Sequence, residues 1–432
     1  MALFRLSSFS WIALLVLLYE IEEQIQFPST IRLLENSVCQ RHYASIPGFS
    51  GVIPVDESLC KIGTIQHHLA SVRGWYSVSS TLPMLVLGPS YGRLADGVGR
   101  RPILGIVTIG MILGLAWIYT VCACWASFPT EWVWLIVLPR LIGGGPFMAI
   151  TLHATMAADL CNDDTRSQTL YRLFCFKLAV ELALPQLASI LLQHSLWLPY
   201  MLCGLALLAT LPIIKALPET LSRTAEPVDW KRIGKPLDLA VFHRYKDLVA
   251  SSKGVWLGLI VTFIVQMRYN VVQILPPYVS VRFGWSISET AKLLSIIPGV
   301  SLVIYLVLPH LTDALHARHF SIAWVNLRVL CLSCLALLVG VAIISILPGI
   351  VWLMVGIIIF SAGFNVRAPM LAVLAFYIDT GKDTAQLYTF MSVTEALAHV
   401  VGSPVLEAIW GAAVELGPPW LILQYLVVDV SS

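Results

Sequence analysis

With 432 residues, 58% of them hydrophobic and only 12% charged, the chain has about half the charge of an ordinary soluble domain, which carries roughly 25%. That excludes a water-soluble globule and leaves an all-α polytopic membrane protein. The formal net charge of +2 excludes the basic surface that a nucleic acid partner needs, and the nine cysteines are scattered without metal-ligand spacing, so neither metal nor cofactor is expected.

The first apolar run, Phe9 to Tyr19, is too short to cross a bilayer, which takes about 20 residues. No small-residue cleavage site follows it to make it a signal peptide. A full span has to continue through Glu20, Glu22, Glu23 and Gln24 towards Pro28, carrying carboxylates into the membrane at a cost that marks function. By helical spacing Glu20 and Glu23 share a face, and Glu22 points elsewhere. A polar stretch from about Glu35 to Gly74 reads as the outer loop. It holds Cys39 and Cys60, and on the non-cytoplasmic side either a disulfide or two free thiols can persist.

Further spans are expected at about 75–92, 103–123, 132–156, 171–192 and 196–217. Between the second and third lies the charged turn Gly92-Arg93-Leu94-Ala95-Asp96-Gly97-Val98-Gly99-Arg100-Arg101-Pro102. Gly92 and Gly99 suit a tight reversal, Asp96 opposes Arg100 and Arg101, and the arginines mark the cytoplasmic side. Arg140 falls roughly 13 Å into the fourth span at helical rise, a depth at which a guanidinium needs a carboxylate or a hydrated cavity. Lys177 and Glu181, at i and i+4 in the fifth span, read as a self-neutralising structural pair.

The hydrophilic segment from Pro218 to Lys253 has seven Lys/Arg against five acids, which places it in the cytoplasm with the charged turn. It divides the chain into a six-helix half (1–217), a linker (218–253) and a second half (254–432). Spans there are expected at about 255–279, 290–311, 322–346, 349–373 and 386–411. The last apolar run, Pro418 to Val430, is about two-thirds of a crossing, so the twelfth helix is short or truncated. Arg268, with Asn270 and Gln273, occupies the middle of the seventh span, and Arg367 lies near Asn365 in the tenth. Glu395 and His399, one turn apart in the eleventh, read as an acid and base pair, because His titrates near neutrality and a buried Glu can be tuned to meet it. Aligning Asp313 with Asp96 lays Pro309 to Arg318 on the charged turn, which suggests two related halves.

The turn resembles the signature between the second and third helices of the major facilitator superfamily, Gly-x-x-x-Asp-x-x-Gly-Arg-Arg. Arg140-Leu141-Ile142-Gly143-Gly144-Gly145 is similar to that superfamily's second signature, and Ala158-Asp159 with Thr165-Arg166-Ser167 to the acid and basic pair after its fourth helix. Cys39 to Tyr43, Leu217-Pro218-Glu219-Thr220, Arg367 and the stretch Glu395 to Pro404 resemble fungal members of the branch related to proton-coupled folate carriers. The resemblance implies a major facilitator fold of two six-helix halves and a coupling role for Arg140. Leu184-Pro185-Gln186 in the fifth span departs from the glycine-rich motif of proton-antiporting exporters.

The expected function is therefore proton-linked alternating access that exports a small organic molecule, a fungal secondary metabolite or toxic compound. Proton-coupled uptake of an organic anion is the alternative, with an intramembrane enzyme or transporter-like sensor more remote. No Ser/His/Asp set or phosphate-cradling loop supports an enzyme. Glu20, Glu23, Arg140, Arg268, Arg367, Glu395 and His399 are the expected cavity for substrate and protons. Gly92, Asp96, Gly99, Arg100, Arg101 and Asp159 are the expected conformational latch. The partners expected are the small organic substrate, protons and the lipid bilayer, for a monomer in the plasma membrane or the vacuolar membrane.

Overall fold

The computed structural model describes residues 8–47, 55–159, 163–217, 219, 253–316, 322–347, 349–367, 369–370, 373–374, 384–417 and 420–423. Among them there is no strand. The chain runs through α1 (Ser8–Ala44), α2 (Gly63–Val98) and α3 (Arg100–Ala123), then a broken fourth span of a 3-10 turn (Thr130–Ile136), α4 (Val137–Leu141) and α5 (Pro146–Asp159). It continues as α6 (Asp163–His194), α7 (Leu198–Ala216), α8 (Lys253–Phe283), α9 (Ile287–Ala291), α10 (Ile296–His316), α11 (Ile322–Ile346), α12 (Ile350–Ala362) and α13 (Thr384–Leu416). Most of the linker, the side chains around Asp313 and of Thr165 to Ser167, and most of the last apolar run lie outside the described residues.

Eight helical stretches among the described residues are long and apolar enough to cross a membrane, as their continuous hydrophobic runs dictate. Their outer faces carry exposed Leu205, Leu332 and Val303, which lipid rather than water would cover. α1 carries too many acids, and α2 too many Ser, Gly and Pro, to be recognised that way, yet both are longer than the spans expected. α1 has 37 residues and α2 has 36, each roughly 55 Å at helical rise against about 30 Å of hydrocarbon. The polar stretch read as a loop from Glu35 to Gly74 is therefore mostly the projecting ends of two helices. Prolines inside α1, α2, α6, α7, α8 and α13 are tolerated because neighbouring helices re-satisfy the freed backbone groups.

Packing gives two hydrophobic cores. The first gathers Ile12, Leu104, Met111, Leu152 and Leu207 from α1 to α7; the second gathers Ile274, Tyr278, Phe360 and Trp410 from α8 to α13, together with Ala70 of α2. The helices meet across the halves along two seams, α2 on α13 and α6 on α9 and α10. The α2–α13 seam is close because Gly74 faces the Pro404 backbone: a Cβ there would lie 3.1 Å from the Pro404 Cα. Small residues let helices approach in this way where lipid supplies no hydrophobic drive.

Candidate functional site

In the first half, the charged residues of α1 meet those of α6. Lys177 Nζ lies 2.5 Å from Glu20 Oε1 and also pairs with Glu181, while Gln24 donates to the other oxygen of Glu20 at 3.3 Å. The pair Lys177 and Glu181 is thus not self-contained, as its spacing suggested. Lys177 ties two helices together through two carboxylates, so removing it would leave buried acids uncompensated, a loss of about 3–5 kcal/mol. Glu23 is partly buried in the same electrostatic neighbourhood. Glu22 is buried too, at 1% exposure, and its Oε1 has no hydrogen-bond partner.

Arg140 faces this cluster from the fourth span, its charge felt by Glu22, Glu23 and Tyr76. It is 2% exposed, with Nε and Nη1 unpartnered. The local sequence explains how so large a cation fits. Gly143, Gly144 and Gly145 all adopt positive φ, at 87°, 82° and 77°, conformations that cost a side-chain-bearing residue free energy, and they break the span after α4. A Cβ on Gly145 would stand 3.0 Å from Arg140 Cδ, and one on Gly143 would collide with the Val107 backbone at 2.5 Å. The glycines that follow Arg140 in sequence therefore make a kink that cradles its own arginine.

The second half carries a different balance. Arg268 is buried; its Nη1 donates to Val265 O and Gln266 Oε1, each at 3.0 Å, and Nε has no partner. Its guanidinium lies over the rings of Tyr269 at 4.5 Å and Phe364 at 5.2 Å, the geometry of cation–π attraction. Arg367 Nε stands 3.4 Å from Glu395 and its Nη2 donates to Ser392 at 3.2 Å. His399 Nε2 lies 3.2 Å from Ser77 Oγ and 3.4 Å from Gln273 Nε2. The acid and base read as one pair are thus turned apart: Glu395 faces a cation, and His399 faces α2 and α8.

At the end of the bundle bearing α3's first residue, Arg100 pairs with Asp96 and, at 3.3 Å, with Asp159. The backbone N–H groups of Arg100 and Arg101 donate to Glu219 at 3.0 and 3.3 Å, and Arg101 Nη2 donates to Lys215 O at 2.5 Å. Only Gly99 makes the reversal, at φ 121° and ψ 154°. Gly92 is an ordinary residue inside α2 with open space around its Cα, so the tight turn does not depend on it. Every one of these partners belongs to residues 96–219.

The opposite end is joined across the halves by residues the sequence reading passed over. Arg73 Nη2 lies 2.7 Å from Glu407 Oε1 and donates to Gln273 O at 2.6 Å; His67 faces Glu415 at 3.4 Å. Arg73 was hidden in the supposed loop, whereas Glu407, a lone acid in an apolar run, was a signal open to the same argument as Glu395. Cys39 and Cys60 form a disulfide with Cα atoms 5.4 Å apart, pinning the 3-10 turn Glu57–Lys61 to α1. Glu57 accepts from Ile287 N at 2.8 Å and is flanked by Arg32 at 2.9 Å and Lys61 at 3.0 Å. Burial raises the Glu57 carboxyl, but Lys61, Arg32 and the Ile287 N–H together hold it below its ordinary value. Among the described residues no group of three or more His, Cys, Asp or Glu is placed to hold a metal ion.

The Major Facilitator Superfamily profile matches residues 59–403. The MFS efflux pump atnC of Emericella nidulans is 29% identical over 421 residues, covering 92% of this chain and 80% of its own. The efflux pump ustT of Aspergillus flavus is 24% identical over 433 residues, covering 94% and 82%. Among solved structures, the nucleoside transporter NupG (D323A mutant) overlays with a TM-score of 0.67 at 13% identity, covering 98% of this chain and 97% of that one, a likeness of fold.

Proposed function

The chain belongs to the major facilitator superfamily, and on that premise we propose that this multi-pass membrane transporter exports a small organic molecule, of the fungal secondary metabolite class, in exchange for protons across the plasma membrane. Two halves, 1–217 and 254–432, joined by a cytoplasmic linker, rock about a cavity between them. The observation that carries the reading is the buried cluster in which Lys177 links Glu20 of α1 to Glu181 of α6. Ionisable groups are costly in a membrane bundle and persist where ions or substrate pass. Arg140 and Glu23 complete a proton site there, and Arg268, Arg367, Glu395 and His399 supply the substrate-facing side. The printed descriptions of the relatives as efflux pumps support the outward direction. In the same proposal the chain sits near the fungal branch related to folate carriers, and Asp96, Arg100, Arg101 and Asp159 latch the cytoplasmic mouth in the alternate state.

Profiling cells and medium with and without the protein tests this. Export predicts that deletion raises a compound inside cells and depletes it outside. The unpartnered Arg268 Nε beside two rings favours, as a second reading, uptake of an anion; deletion would then deplete a supplied compound from cells.

A further inference from the structure

The α2–α13 seam borders a partly open pocket of about 150 Å³ whose wall includes His67, Gly74, Trp75, Pro404 and Glu407. Glu407 spends only one oxygen on Arg73; Oε2 is buried without a hydrogen-bond partner, as is Arg73 Nη1. This buried ion pair joins the first half to the second and is therefore made only while this end is closed. We propose that Arg73 and Glu407 are the charge lock of the disulfide-bearing gate, and that Glu407 is the carboxylate on which a proton from that side, arriving through the pocket, opens it.

The proposal rests on the transporter reading above. The proton forms an O–H bond at Glu407 Oε2 and cancels the carboxylate's charge; no other bond changes. Arg73 keeps its charge, since guanidinium does not titrate in this range, and its remaining partner is the neutral Gln273 carbonyl. A closed gate then holds an uncompensated buried cation, a strongly unfavourable state, whereas an open gate lets water solvate it. Such a difference between two states shifts their populations. The other charged or titratable groups facing this seam are His67 of α2 and Glu415 of α13, which face each other nearer the helix ends and are both about half exposed, and His399 of α13, which turns to Ser77 and to Gln273 of α8.

The test uses the full-length protein in lipid nanodiscs with bio-orthogonal spin labels at Ser127 and Ile346, both exposed at this end. The distance distribution reports the open-to-closed ratio without substrate or transport, so its outcome is separate from that of the export experiment. Acidification raises the open population of the wild type. Glu407→Gln raises the ratio at every pH by about tenfold or more and abolishes the response to acid. The double variant Arg73→Met, Glu407→Leu restores closure and is also flat with pH. A wild type indifferent to acid, or a Glu407→Gln variant with the wild-type ratio or a retained acid response, overturns the lock. Should that variant not fold, an acid response in the double variant overturns it instead.

Discussion

The two ends of the bundle use charge in opposite ways. Around Arg100, the partners named among the described residues belong to residues 96–219, so these contacts brace the first half and tie it to the start of the linker. Around the disulfide, Arg73 meets Glu407 and Glu57 meets the backbone of Ile287, so the charges there fasten one half to the other. A bracing charge survives any motion of the halves, but a fastening charge has to be undone. The contrast supports a state in which the disulfide end is shut.

Three perturbations sharpen or break that contrast. Replacing Cys39 and Cys60 by Ser leaves the Glu57 turn held to α1 by ion pairs rather than a covalent bond, and loss of a disulfide costs about 2–4 kcal/mol. Thermal unfolding in nanodiscs should fall accordingly, with the distance across that end broadening; an unchanged distance would mean that the turn fastens nothing. Next, Gly99→Ala forces a side chain into a backbone region reserved for glycine, with its Cβ 2.5 Å from Glu219 Oε2, at a cost of about 1–3 kcal/mol. It should lower the melting temperature without altering the distance at the disulfide end. A change at that distant end would show that the bracing network also couples the halves.

The smallest effect is acid dependence at Glu57. Its folded carboxyl lies below the ordinary value, so its stabilising contribution is complete above the unfolded value of about 4.3 and is lost as pH falls through the folded one. Melting temperature should decline in that acidic window for the wild type, and Glu57→Gln should remove that part of the slope. An equal slope in both would detach Glu57 from the fastening.

Much of the bundle was legible because apolar length encodes it. The span expected at 322–346 is α11 to the residue, and that at 103–123 lacks only the first turn of α3. Charge-rich helix ends were not legible. Arg32, Glu35, Glu57 and Lys61 look like loop residues by hydropathy, yet they neutralise one another between projecting helices. Nor does sequence spacing reveal which side chains meet across the halves: Lys177 finds Glu20 157 residues away, and Arg73 finds a glutamate 334 positions along the chain. The glycines after Arg140 were visible as a motif, but their part in breaking the span follows only from their shared positive φ.

The unusual length of α1 and α2 has a mechanical consequence. A stiff rod about twice as tall as the oily layer it crosses turns a slight rocking at its base into a wide sweep at its tip. With the tip of the first rod stitched by sulfur to the turn that leads into the second, they would swing as one boom, offering an antibody raised against that tower a handle by which to arrest the cycle.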